Sequence, residues 1–230
     1  MSTGPDGALA AAYRTLGEGA RRTGFRYDSG NILHRLTPAD YVSLVALFWA
    51  WTAALALLDG ATRLGVTLAF VAFAFDKLDG WLARRLDVDS KLGRQVDSFI
   101  DIFVYLVTGA LLFHYALAPN VLASAVVGFL VIGFGGLRLI RHNEEGFVDV
   151  DGTSHYHGTT VVHTHLVVVA NVVLATHVGA WNGWLAAGTV AAACPLMVSD
   201  YRAPKTERVH YLLGVVCLLV LAALYAPVLP

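Results

Sequence analysis

The amino-acid sequence predicts an all-α, polytopic membrane helix bundle of about seven transmembrane helices, with six to eight as the range. Three observations carry that prediction. The 230 residues are 57% hydrophobic and only 14% charged, with a mean hydropathy of +0.61, whereas a soluble domain carries roughly a quarter charged residues. The apolar residues are gathered into runs of the length a helix needs to cross the hydrocarbon core, about 20 residues. Lysine and arginine concentrate in alternate connections between those runs.

Residues 1–37 form the first element, a cytoplasmic segment with Arg14, Arg21, Arg22, Arg26 and Arg35 and no apolar stretch of the kind a cleaved signal peptide has. Its Ala- and Arg-rich part, Ala8 to Arg26, reads either as a short helix on the membrane surface or as a cytosolic tail. Residues 38–230 form one membrane domain, with spans expected at 40–58, 62–84, 94–117, 119–141, 158–177, 180–198 and 209–228. Every connection is short except 142–157, so consecutive spans are expected to pack antiparallel. The two cysteines, Cys194 and Cys217, sit in apolar runs without metal-ligand spacing and read as packing residues.

Orientation follows from the loops. Arg84, Arg85, Lys91 and Arg94 surround the second connection, Arg138 and Arg141 close the fourth span, and Arg202, Lys205 and Arg208 precede the last. The opposite connections hold only Arg63. The N-terminus is therefore expected in the cytoplasm.

The second and third spans carry acids that a bilayer disfavours. Residues 76–101 read DKLDGWLARRLDVDSKLGRQVDSFID. At about 100° per residue, Asp76, Asp79, Gly80 and Ala83 share a stripe on one helix, and Gly93, Asp97 and Asp101 share one on the next. The short connection makes these helices antiparallel, so four carboxylates are expected to converge near the cytosolic edge of the bilayer. Carboxylates in a span cost several kcal/mol each unless paired, hydrated or metal-bound, and a cluster of them repels itself at low dielectric. A divalent cation relieves both, and carboxylate oxygens suit Mg²⁺ or Mn²⁺. Salt bridges to Lys77, Arg84, Arg85 and Arg94 would account for one or two of the acids, not for four on matched stripes. Gly80, Ala83 and Gly93 leave room for a bulky ligand or for close helix approach.

The segment matches every fixed position of one signature: Asp76, Asp79-Gly80, Ala83-Arg84, Gly93, Asp97 and Asp101 at their fixed gaps. On these residues the chain resembles the CDP-alcohol phosphotransferases. The resemblance implies transfer of a phosphatidyl-type group from a CDP-linked lipid to a small polar alcohol, with release of CMP. It implies Asp76, Asp79 and Asp97 as ligands of two metal ions, Mg²⁺ or Mn²⁺. It implies Asp101 as the general base on the acceptor hydroxyl and as a further metal ligand. Gly80, Ala83 and Gly93 would line the cytidine pocket beside Asp76, and Arg84 would lie near the nucleotide phosphates. The resemblance also implies a homodimer in the cell membrane with its active site facing the cytoplasm; no nucleic-acid partner is expected.

Three further stretches resemble the phosphatidylserine and archaetidylserine synthase branch: Asp40-Tyr41-Val42-Ser43-Leu44, Gly136 to Asn143, and Leu196 to Lys205. They make L-serine the expected acceptor, with glycerol phosphate, inositol phosphate or another alcohol as alternatives. Two departures fall near where an acceptor would sit. Ile102 to Val107 replaces the branch's SFGxAP-like stretch, and Tyr156-His157-Gly158-Thr159-Thr160 stands for its FxGLPxP loop. Arg138 and Arg141 either anchor the cytosolic edge or grip an anionic group of the acceptor. His155, His157, His163 and His165 read as interfacial histidines rather than a second metal site, with His163 or His165 in reach of the acceptor pocket. A cation transporter is the competing class, but it calls for acids continuing across the membrane. Here they cluster at one side.

Overall fold

The computed structural model describes residues 31–88, 90–150, 152–204 and 207–227. The expected N-terminal surface helix falls on residues outside these. Among the described residues the chain forms seven helices: α1 (Pro38–Leu58), α2 (Thr62–Leu86), α3 (Lys91–Ala116), α4 (Val121–Glu145), α5 (Val161–His177), α6 (Gly183–Val198) and α7 (Glu207–Tyr225). Of these, α1, α3 and α4 are long and apolar enough to cross a membrane, and α5, α6 and the Gly214–Tyr225 part of α7 are shorter apolar helices. The 25 residues of α2 extend about 37 Å, enough to span, but they include the charged motif. The expected all-α bundle is what forms.

Local chemistry sets the helix ends. Thr37 caps α1 in a reciprocal capping box with Asp40, and Pro38 takes the first turn, where its missing N–H costs nothing. Asn120 and Asn182 cap α4 and α6 by accepting backbone N–H bonds. Asp87, with φ 52°, ends α2 in the left-handed conformation, and Ser90 caps α3 by accepting from the Gly93 N–H at 2.9 Å. The motif segments of α2 and α3 meet, with carboxylate oxygens of Asp76, Asp97 and Asp101 within 4.8 Å of one another.

Small residues set the helix spacing. Ala46, Ala50, Ala53 and Ala54 are all buried along α1, which packs most extensively against α2. Tyr105, Phe113, Ile100 and Leu106 of α3 are the large side chains at the centre of the bundle. The outer faces expose Phe48, Trp51, Phe129, Trp184 and Leu218, as expected where the surroundings are lipid.

Two features depart from simple helices. The 142–157 connection, read as a loop from sequence, forms β1 (Val148–Val150) and β2 (Thr153–His157), which with β3 (Arg202–Pro204) make a three-stranded antiparallel sheet in the order β1-β2-β3. Gly158, with φ +68°, ends β2; a Cβ there would lie 2.4 Å from the Met197 carbonyl oxygen, so only glycine fits. The second departure lies inside α3, where Ile102–Val107 winds as a π-helix immediately after Asp101.

Candidate active site

The motif aspartates do not all behave alike. Carboxylate oxygens of Asp76, Asp97 and Asp101 lie within 4.8 Å of one another. Asp76 is buried, Asp101 half-buried and Asp97 exposed, so the cluster opens on the Asp97 side. Three carboxylate oxygens this close suit a hard divalent cation. Asp79, expected in the same cluster, is turned to α1 instead, where its Oδ2 accepts a short hydrogen bond from the Ser43 hydroxyl.

Asp76 is held from two sides. The Tyr105 hydroxyl donates to its Oδ2 at 2.5 Å, and the Lys77 ammonium lies 2.8 Å from the same oxygen. Lys77 also sits 5.5 Å from the Phe73 ring centre and 5.9 Å from that of Tyr105, which fixes the ammonium over two aromatic faces.

The glycines divide in the same way. A Cβ on Gly80 would meet only the Arg84 guanidinium, at 3.4 Å, so Gly80 and the exposed Arg84 border open space beside half-buried Ala83. A Cβ on Gly93 would instead lie 3.1 Å from both Asp40 Oδ1 and Ser90 Oγ. Gly93 thus lets the start of α3 press against the buried cap of α1, in addition to any space it leaves for a ligand.

Two arginines three residues apart on α4 have different surroundings. Arg141 donates to the carbonyls of Val198, Met197 and Ser199 at 3.1–3.2 Å, clamping the end of α6. Arg138 is 4% exposed, and its Nε is buried without a hydrogen-bond partner among the described residues. Its guanidinium lies 5.5 Å over the Tyr156 ring, and its charge acts on Asp97 and Asp101. Tyr156 is packed edge-on against Phe147 and beside His142. Burial raises the pKa of its phenol, opposed by the charges of Lys77, Arg138 and Arg84, so the phenol remains a hydrogen-bond donor at neutral pH.

The four histidines scatter. His155 bonds the Thr153 carbonyl, His157 reaches Glu145 at 3.4 Å, and His163 bonds the Thr160 hydroxyl. His165 is buried against Tyr105. Among the described residues only the aspartate trio forms a candidate metal group. Sequence reasoning missed Ser43, Tyr105 and Tyr156 as site neighbours. All three lay within stretches already singled out, Tyr105 inside Ile102 to Val107 and four residues after Asp101.

Clustered carboxylates that feel the charge of a buried arginine define a site that could hold a divalent cation and a phosphate-bearing substrate. A sequence model of the CDP-alcohol phosphatidyltransferase family matches residues 36–199, and the chain belongs to that family. It is similar to the archaetidylserine synthase of Methanothermobacter thermautotrophicus, at 28% identity over 173 residues, covering 73% of this chain and 70% of that protein. It is also similar to the CDP-diacylglycerol–serine O-phosphatidyltransferase of Methanocaldococcus jannaschii, at 32% identity over 117 residues, covering 49% of this chain and 53% of that protein. These likenesses make the chain a CDP-alcohol phosphotransferase and set the transporter reading aside.

Proposed function

We propose that the chain transfers the lipid-phosphate group of a CDP-linked lipid, CDP-diacylglycerol or CDP-archaeol, to L-serine, and that Asp76, Asp97 and Asp101 hold Mg²⁺ or Mn²⁺ as they do so. The observation that carries this reading is the aspartate trio, with the charge of buried Arg138, whose Nε has no hydrogen-bond partner among the described residues, acting on Asp97 and Asp101. When bound, the metal would neutralise charge on the pyrophosphate and orient it for in-line displacement. Asp79 offers its second oxygen to a further ion while Ser43 holds the first.

The residues then divide the work. Arg84, beside Gly80 and Ala83, meets the nucleotide phosphates from the exposed side. Arg138 meets the serine carboxylate, which satisfies its free Nε and places the hydroxyl near Asp101. Asp101 takes the hydroxyl proton as the serine oxygen bonds to the lipid phosphorus, and the bond from that phosphorus to the CMP oxygen breaks. The reaction proceeds at the cytoplasmic face, in the order expected from the loop charges. Serine is favoured over other alcohols because both similar proteins are named for serine transfer.

Purified protein incubated with CDP-lipid, Mg²⁺ or Mn²⁺ and one acceptor at a time tests the reading. Serine-dependent CMP release that stops with chelator is the expected result. Release with glycerol phosphate or inositol phosphate but not with serine would sink the serine assignment and leave the reaction class standing.

A further inference from the structure

We infer that Tyr105 is a positioning residue for metal binding, delivered to Asp76 by the π-helical turn of α3 and locked there by His165. This rests on the reading of Asp76 as a metal ligand. An α-helix overshoots a full turn by about 40° in every four residues, so Asp97, Asp101 and residue 105 would drift steadily around a regular helix. The π-helix at Ile102–Val107 has more residues per turn and reverses that drift. Tyr105 therefore returns to the side of α3 that carries the aspartates, where its hydroxyl reaches Asp76 on α2.

The bulge also loosens the backbone hydrogen-bond ladder, and the structure supplies replacement donors. The Thr108 hydroxyl donates to the Val104 carbonyl at 2.5 Å, and His165 Nδ1 lies 3.0 Å from the Tyr105 carbonyl oxygen. A carbonyl only accepts, so His165 carries its proton on Nδ1. The His165 ring meets the Tyr105 ring edge to face at 5.9 Å. Gly109 makes room for it, since a Cβ there would lie 3.2 Å from Nδ1. On the other side of α3, Leu106 fills the space where Gly135 of α4 lacks a side chain. The bulge is thus held by contacts from α4 and α5.

The consequence for Asp76 is geometric. Tyr105 and Lys77 both occupy Oδ2, which leaves Oδ1 as the oxygen a cation takes without displacing either donor. A carboxylate held by such a hydrogen bond keeps one rotamer, and losing a partner of this kind typically weakens metal binding by about 10–100-fold.

Tyr105→Phe removes only the hydroxyl and keeps the buried ring. Mn²⁺ titration followed by electron paramagnetic resonance should show at least about tenfold weaker binding. Serine-dependent kcat should fall at subsaturating Mn²⁺ and recover at high Mn²⁺, with the KM for serine unchanged. Equal Mn²⁺ affinity in the two proteins would overturn the proposal alone; absence of Mn²⁺ binding by the unsubstituted protein would overturn it together with the metal reading. If Tyr105→Phe does not fold, the unsubstituted fold still decides the matter. With 3-fluorotyrosine incorporated at position 105, the fluorine resonance should shift with Mg²⁺ at the concentration that supports turnover. A resonance that ignores Mg²⁺ would overturn the proposal.

Discussion

At the residue scale the site depends on which carboxylates remain free to act. Asp76 is fixed by Tyr105 and Lys77, and Asp79 is bonded to Ser43, whereas Asp101 is half-buried and faces Arg138 electrostatically. Asp101→Asn keeps the shape and removes the proton acceptor. CMP release should then fall by about 10²-fold or more, while CDP-lipid binding, measured by equilibrium titration, stays within a few fold. Undiminished turnover would remove Asp101 from the role of base. The spacing of the motif made Asp76, Asp97 and Asp101 legible as one cluster because helical periodicity aligns the acids on each helix and the short connection brings the two helices together. It could not separate Asp79, whose partner Ser43 lies 36 residues away in sequence. Tyr105 was hidden for a different reason: it lies outside the motif, and the π-turn that helps bring its hydroxyl to Asp76 leaves no mark in the residue spacing.

At the element scale, Arg138 and Arg141 look interchangeable in sequence but serve different parts of the fold. Arg141 supplies three charged hydrogen bonds to the last carbonyls of α6, where a positive charge also complements the helix dipole. Arg141→Met should cost about 2–3 kcal/mol, seen as a lower melting temperature in detergent, with turnover per folded molecule nearly unchanged. Arg138→Gln should instead act on the reaction: the KM for serine should rise at least about tenfold, the worth of roughly 1.4 kcal/mol of lost charge-assisted bonding. A KM that stays constant would dissociate Arg138 from the acceptor. The helices themselves were legible from apolar run lengths, and the α3 and α4 ends differ from expectation by only a few residues, because polar turns extend both helices past the hydrophobic core. The sheet was not legible. Its strands are three to five residues long, and β2 pairs with residues 45 to 49 positions later, from His157 with Arg202 to His155 with Pro204, a contact no local pattern encodes.

For the whole molecule the open question is which face of the membrane the site meets, since a CDP-linked substrate is made where nucleotides are. The motif ends of α2 and α3 carry Arg84, Arg85, Lys91 and Arg94, and the adjoining end of α4 carries Arg138 and Arg141. The connection between α5 and α6, at the other end of the bundle, carries no lysine or arginine across 178–183. The positive-inside bias therefore predicts that the aspartate cluster faces the cytoplasm. Single-cysteine labelling can read this directly, because the native Cys194 and Cys217 are both buried and should give little background. Glu144 at the end of α4 is exposed, and Gly179 is exposed with nothing within 4 Å of an added Cβ, so both positions accept a cysteine without strain. In intact cells a membrane-impermeant maleimide should label Gly179→Cys and spare Glu144→Cys, and inverted vesicles should reverse the pattern. The opposite result would turn the bundle over and put the site outside. Labelling of both from one side would mean that the α4–α5 and α5–α6 connections share a face, which a spanning α5 forbids.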